Sequence, residues 1–344
     1  MISPDSKYHL IISIDNYSFD MLTTASIDGL PANVDALIAA LAEQSYVCDR
    51  RLATALFLAL KLQRPLFLEG EPGIGKTELA KALSAALDTP LFRIQCYEGL
   101  DLAQAAYEWN VKRQMLSIRL AEAGGKAQSE SLESLSKDLF DRSMLIERPL
   151  LQALTQPKSP VLLIDELDRA DEPFDAFLLE FLAENQLSIP EIGVIRASAP
   201  PICIITSNRT REIHDALKRR CLYHWLDFPT LEREMDIVRR KANGASESLF
   251  RQTVSFVQRM RKLNLVKVPG VAETIDWTNA LALLNTLHLE PGVVQETLGL
   301  LLKHHDDLQH FGLADTMAVL DELIAKGLVP APHSGLSADM AASN

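Results

Sequence analysis

One short run in this chain holds the residue types that binding a triphosphate requires. Gly70-Glu71-Pro72-Gly73-Ile74-Gly75-Lys76-Thr77 fits the pattern G-x-x-x-x-G-K-[ST]. It follows an apolar run from Pro65 to Glu69 and precedes a segment in which Leu79, Leu83 and Leu87 recur every fourth residue. Strand, tight turn and helix are therefore predicted in that order, the context in which such a loop cradles phosphate. The glycines let the backbone turn sharply and aim successive N–H groups inward, and the opening of a helix favours an anion. Lys76 can reach the β- and γ-phosphates, and the Thr77 hydroxyl can ligate Mg²⁺. Each part answers one feature of a nucleoside triphosphate, so ATP and Mg²⁺ are the expected cofactors and Gly70 to Thr77 the expected cradle.

Three further runs gain meaning beside it. Val161-Leu162-Leu163-Ile164-Asp165-Glu166 reads as an apolar strand ending in two acids, which resembles a Walker B element. Asp165 would hold the Mg²⁺ shell together with Thr77, and Glu166 would polarise a water for in-line attack on the γ-phosphate. Acids commonly end strands, so this run alone would not decide the matter. Ile202 to Ser207 is another apolar strand, and Asn208 at its end could orient the attacking water or simply form a turn. Asp215-Ala216-Leu217-Lys218-Arg219-Arg220 is a basic cluster before a strand. One of its arginines could be a finger for a neighbouring subunit's nucleotide, although an arginine on a loop is more often a solvated charge.

These residues must be positioned by a core of adequate size. With 344 residues, 47% hydrophobic and 23% charged, the chain is of globular composition and long enough for about two domains. Its 34 Lys and Arg against 46 Asp and Glu leave a net charge of -12, which argues against bulk coating of nucleic acid or anionic lipid. No uncharged apolar run approaches the roughly 18 residues of a membrane span, and the first residues, with Asp5 and Asp15 around a short apolar stretch, do not lead one to expect a secretion signal. Cys48, Cys96, Cys203 and Cys221 are scattered with no C-x-x-C, so the reducing cytoplasm is the expected compartment.

Strands are predicted at Pro65 to Glu69, Leu91 to Gln95, Val161 to Asp165, Ile202 to Ser207 and Cys221 to Leu226. Helical segments lie between them, which predicts a buried parallel sheet in an α/β fold. Asn33 to Leu62 has helical periodicity. Ala123 to Ser134 is small and polar and reads as an exposed loop. After Pro229 no strand is evident, and helices are expected at Leu231 to Lys241, Glu247 to Leu263, Thr274 to His288, Pro291 to His304 and Asp315 to Lys326. The boundaries so drawn are an N-terminal extension at 1–30, an α/β domain at 31–229, a helical domain at 230–330 and a fraying tail at 331–344.

The succession of P-loop, Asp-Glu strand, polar strand end, basic turn and helical C-terminal segment resembles the AAA+ ATPases. Within them the chain is most similar to MoxR-type ATPases, in particular the branch that accompanies carbon monoxide dehydrogenase maturation (CoxD-like). The runs that carry the likeness are RPLFLEGEPGIGKTELAKAL (64–83), RIQCYEGLDLAQAAYEWN (93–110), IERPLLQAL (146–154), VLLIDELDRADEPFDAFLLE (161–180) and TSNRTREIHDALKRRCLYHW (206–225). The likeness covers about 45 to 300. It implies a five-stranded parallel sheet in the order 5-1-4-3-2 with a helical lid. Lys76 and Thr77 become the Walker A pair, Asp165 and Glu166 the Walker B pair, and Asn208 sensor 1. Arg220 aligns best with the finger, and adjacent Arg219 stays open.

The resemblance also implies a hexameric homo-oligomeric ring that acts with a partner bearing a von Willebrand factor A domain on a metalloenzyme client. A molybdenum hydroxylase of the carbon monoxide dehydrogenase type is the expected client. An activase of another enzyme, of Rubisco or nitric oxide reductase type, is the alternative, and a nucleic-acid-dependent motor a more distant one. Gln186 to Ala197 would be the hairpin before sensor 1, facing the pore, or else a surface hairpin. Tyr97 to Gly125 falls where this clade inserts its helix-2 element, and Tyr107 and Trp109 would face a partner or belong to the core. Many relatives place a sensor 2 arginine early in the lid. The matching stretch here, Gly270 to Thr274, has none, so either Arg259, Arg261 or Lys267 would substitute or the coupling would run through other contacts.

Overall fold

The computed structural model describes residues 29–123, 137–242 and 244–330. Two helices, α1 (Val34–Glu43) and α2 (Arg50–Leu62), precede strand β1 (Leu66–Gly70), which feeds the glycine-rich turn and α3 (Lys76–Ala86). β2 (Leu91–Gln95) follows, then α4 (Leu102–Ala105), β3 (Tyr107–Trp109), α5 (Val111–Ala123), β4 (Leu145–Glu147) and α6 (Pro149–Leu154). β5 (Val161–Asp165), α7 (Glu172–Glu184), β6 (Gln186–Ile189), β7 (Gly193–Arg196), β8 (Ile202–Ser207), α8 (Asp215–Arg220) and β9 (Leu222–Leu226) complete the α/β part.

The five long apolar runs form one parallel sheet in the order β2-β5-β8-β1-β9. Counted as five core strands this is 5-1-4-3-2, the expected order. Its three inner strands, β5, β8 and β1, alternate their side chains between two buried layers, which is why they read as largely apolar runs. The edge strands β2 and β9 leave side chains exposed or half-buried. Leu66, Leu68, Leu163 and Ile204 face α1, α2 and α3, whereas Phe67, Leu162, Ile164 and Ile205 face α6 and α7. Because β1 sits between β8 and β9, its loop opens at the carboxyl edge of the sheet, beside the ends of β5 and β8, where ligands of open α/β sheets bind.

Gln186 to Arg196 is an antiparallel hairpin with Ile189 paired to Gly193. Tyr107 and Trp109 lie on β3, paired with β4, and pack against the core layer that holds α6 and α7. Trp109 meets Phe140 edge to face at 5.2 Å. Most of the polar stretch from Ala123 to Ser134 lies outside the described residues, as do the tail after residue 330 and nearly all of the N-terminal extension.

The C-terminal region is helical: α9 (Leu231–Lys241), α10 (Glu247–Met260), α11 (Val271–Leu283), α12 (Pro291–Leu301), α13 (His305–His310) and α14 (Leu313–Ala325). They enclose their own core around Phe256 and the fully buried Trp277, whose ring centroids lie 5.4 Å apart. α11 begins three residues before its expected start, because Glu273 reaches back to the Gly270 N–H at 3.0 Å and caps the helix there. It also ends earlier, where Asn285 turns left-handed at φ 54°. Among the described residues no helix is long and apolar enough to cross a membrane.

Candidate active site

β1 ends in Gly70, and Gly73 and Gly75 lie in the loop before α3, all at positive φ where another residue would be strained. A Cβ on Gly70 would stand 2.4 Å from the Leu226 carbonyl oxygen, and Gly73 holds φ at +74°. The loop can therefore wrap tightly and leave the first N–H groups of α3 free of any side-chain cap. Lys76 folds back over this loop and donates to the carbonyls of Gly70 at 2.6 Å and Glu71 at 2.8 Å. Burial lowers its pKa to about 8, against the pull of Asp168, Glu71, Asp165 and Glu166.

Asp165 closes β5 with its side chain almost fully buried and accepts from Thr77 Oγ1 at 3.0 Å and Thr206 Oγ1 at 2.5 Å. Glu166 follows in a left-handed conformation, φ 55°, and its N–H donates to Thr206 Oγ1 at 2.9 Å. This turn aims the Glu166 carboxylate across the sheet edge. There one oxygen accepts from Asn208 Nδ2 at 3.1 Å and the other from Gln95 Nε2 at 2.9 Å. Asn208 is itself anchored, its N–H donating to Asp168 at 3.1 Å. Burial opposes ionisation of Asp168, yet donors from Thr210 and Asn208 win and hold its carboxyl below the usual range. Lys76, Thr77, Asp165, Glu166 and Asn208 thus meet at one edge of the sheet. Thr77 and Asp165 present adjacent hard oxygens, the donor type that Mg²⁺ takes when phosphates complete its shell.

The loop forms one wall of a cleft of about 300 Å³. Tyr46 and Val47, from the α1–α2 link, and Ile237 and Ile275, from the lid, supply apolar surface, and Arg233 and Lys241 supply charge. Burial pushes the Tyr46 hydroxyl far above its ordinary range, so it stays neutral. Arg233 is held by Asp49 and by the Val47 carbonyl at 3.1 Å, and Lys241 by Glu78 at 3.3 Å. No motif marked these residues, because only the docking of the lid onto the α1–α2 link brings them to the cleft.

Arg219 and Arg220 are exposed and do not line this cleft. They end α8, whose last carbonyls accept from Arg64: Arg219 O at 2.7 Å and Arg220 O at 3.1 Å. The three lid cations considered as substitutes for a sensor 2 arginine do not line the cleft either. Arg259 pairs with Glu322, and Arg261 pairs with Glu234 at 2.6 Å. The lid instead touches the loop through its main chain: the N–H groups of Val271 and Ala272 both donate to Gly73 O, at 3.0 and 3.1 Å.

Residues 65–221 match the family described as the AAA domain, dynein-related subfamily. The chain carries an AAA+ ATPase domain. An uncharacterized protein of Staphylococcus haemolyticus (strain JCSC1435) is 24% identical over 219 residues, which span 62% of this chain and 73% of that protein. One from Staphylococcus aureus (strain USA300) is 22% identical over the same shares. Among solved structures, the Thermotoga maritima RuvB Holliday junction branch migration motor is similar at a TM-score of 0.43 and 16% identity, covering 87% of this chain and 80% of that one. For an AAA+ domain, the P-loop and the two carboxylates at the sheet edge imply nucleotide binding and hydrolysis.

Proposed function

We propose that this protein hydrolyses ATP and uses the cycle to remodel a partner, as a MoxR-type chaperone. The observation that carries the reading is the contact of Glu166 with Asn208 at 3.1 Å, directly beside Lys76, Thr77 and Asp165. A carboxylate so held suits activation of water rather than transfer of the phosphoryl group to another acceptor. Residues 31–229 are the nucleotide-binding domain in this reading and 230–330 the lid, flanked by 1–30 and 331–344.

Gly70 to Gly75 and the first turn of α3 receive the phosphates, and Lys76 leaves its loop carbonyls for the β- and γ-oxygens. Thr77 and Asp165 hold Mg²⁺, which neutralises charge on those oxygens when bound. Glu166 orients water in line with the γ-phosphate, and Asn208 keeps Glu166 aligned. ATP and water give ADP and phosphate. Arg220, or Arg219 beside it, supplies charge to the site of a neighbouring subunit in a hexameric ring. Exposure of both on α8, outside their own cleft, supports that role.

The likeness of residues 93–110 and 206–225 to the carbon monoxide dehydrogenase maturation branch supports a metalloenzyme client in the cytoplasm. It also supports a partner bearing a von Willebrand A domain. Phosphate release from ATP without any acceptor tests the enzyme: Glu166→Gln is expected to keep ATP binding and lose turnover, and Lys76→Ala to lose both. Equal phosphate release by Glu166→Gln and the unaltered chain would refute it. Affinity capture by Glu166→Gln in ATP, with Lys76→Ala as control, tests the client. The expected catch is a von Willebrand A protein or a molybdenum hydroxylase, and nucleic acid retained in its place would overturn the chaperone assignment.

A further inference from the structure

The reading of Asp165 as the carboxylate that meets Mg²⁺ leaves one of its partners unexplained, and the inference drawn from that partner rests on the reading. β2 is an edge strand, and its register with β5 sets Arg93 opposite Leu163 and Gln95 opposite Asp165. From there the Arg93 guanidinium reaches Asp165 Oδ2 with Nε at 3.1 Å and Nη2 at 2.6 Å. It also donates to Gln95, the residue whose amide holds Glu166. Two side chains of one edge strand thereby engage both carboxylates at the end of β5.

The donors to Asp165 are not equivalent. Thr77 and Thr206 donate through hydroxyls. A hydroxyl can keep giving its proton to the carboxylate while turning a lone pair toward a cation. A guanidinium has five N–H donors and no acceptor, and it carries charge of the same sign as a metal. On Oδ2 it occupies acceptor sites of the same carboxylate and repels a divalent cation brought within a few ångströms. The Asp165 side chain is 3% exposed and that of Arg93 47%, so the carboxylate is fixed and the arginine is the member able to swing aside.

We propose that Arg93 is a resident counter-ion of Asp165 that gives way when Mg²⁺ arrives with nucleotide. The two cations compete for one carboxylate, so Arg93 weakens the apparent affinity for Mg²⁺ while holding Asp165 in position.

The test uses the full chain at saturating ADP and reads the Mg²⁺ concentration that gives half of the maximal thermal stabilisation. Arg93→Gln is expected to lower that midpoint by about three- to tenfold, the scale of a partly exposed, charge-assisted pair. ADP affinity in EDTA should stay within about twofold. Arg93→Lys keeps the charge but loses the two-nitrogen grip, so its midpoint should fall by about twofold; it decides the matter if the glutamine variant does not fold. An unchanged or raised midpoint in the folded variants overturns the proposal. If the unaltered chain shows no stabilisation by Mg²⁺ with ADP, and Asp165→Asn behaves identically, the nucleotide-site reading itself fails, a result distinct from failure of the Arg93 inference alone.

Discussion

Arg261 decides between two accounts of the lid. Its guanidinium grips Glu234 with Nη1 at 2.6 Å and Nη2 at 2.7 Å, and Nε donates to Pro269 O at 2.7 Å. Glu234 is fully buried and also accepts from Gln258 at 2.6 Å and Thr274 at 2.8 Å. Arg261→Met removes the cation but leaves the carboxylate inside with neutral donors only. Breaking one side of a buried pair costs about 3–5 kcal/mol. At about 4–8 °C per kcal/mol for a unit of roughly 100 residues, the lid transition should fall by about 12 °C or more. Scanning calorimetry, with ADP titration well below the transition, reads both stability and binding. Because removing both charges also removes the cost of burying them, Glu234→Met/Arg261→Met should regain much of the loss. ADP affinity should stay unchanged in both variants. A single variant that melts within about 2 °C of the unaltered chain would refute the buried-pair account. A tenfold loss of ADP affinity in a folded Arg261→Met would instead place this arginine at the phosphates.

Arg220→Ala is expected to slow hydrolysis by roughly 10³ without loss of nucleotide binding. If Arg219→Ala does so instead the finger is its neighbour, and if neither matters the shared-site ring is wrong. Gly70→Ala should abolish ADP binding and cost more than about 2 kcal/mol in chemical denaturation, because its methyl would collide with the Leu226 carbonyl at 2.4 Å. Retained binding would count against the close approach of β1 and β9. Burial pushes the thiols of Cys48, Cys96 and Cys221 up to about 12 and Cys203 higher still. At pH 8 the thiolate fraction, and so the labelling rate, should be about 10³ lower than for an ordinary thiol. Four equivalents of a thiol reagent should react only after denaturation, and one rapid equivalent in the native protein would contradict this.

The sheet was legible because its three inner strands, β5, β8 and β1, are buried on both faces and so appear as largely apolar runs of five or six residues. The P-loop and the two acids were legible because their spacing is local. β3 and β4 were not: each has three residues, too few for a period, and their pairing depends on chain closing around α5. α13 is a six-residue helix of mostly polar composition, and nothing in its pattern separates it from a loop. Tyr46, Arg233 and Lys241 escaped notice for a different reason. Their place in the cleft is set by contacts between segments almost two hundred residues apart, such as Arg233 with Val47. Arg93 was read within a run of residues, but its grip on Asp165 follows from register, which spacing along one strand does not reveal.

The contact of Gly73 O with the N–H groups of Val271 and Ala272 bears on how this lid is to be compared with others. Both partners are main-chain atoms, so the joint between phosphate loop and lid carries no signature in side-chain identity at 271 or 272. Drift there leaves it intact, proline excepted, because only proline lacks the N–H. The demand is displaced onto Gly270, where a Cβ would stand 2.9 Å from Pro72 O and 3.0 Å from Gly73 Cα. A lid without an arginine at its threshold is therefore not an unlinked lid. Its coupling is written as a glycine facing a glycine, and a search for the missing charge looks for the wrong letter.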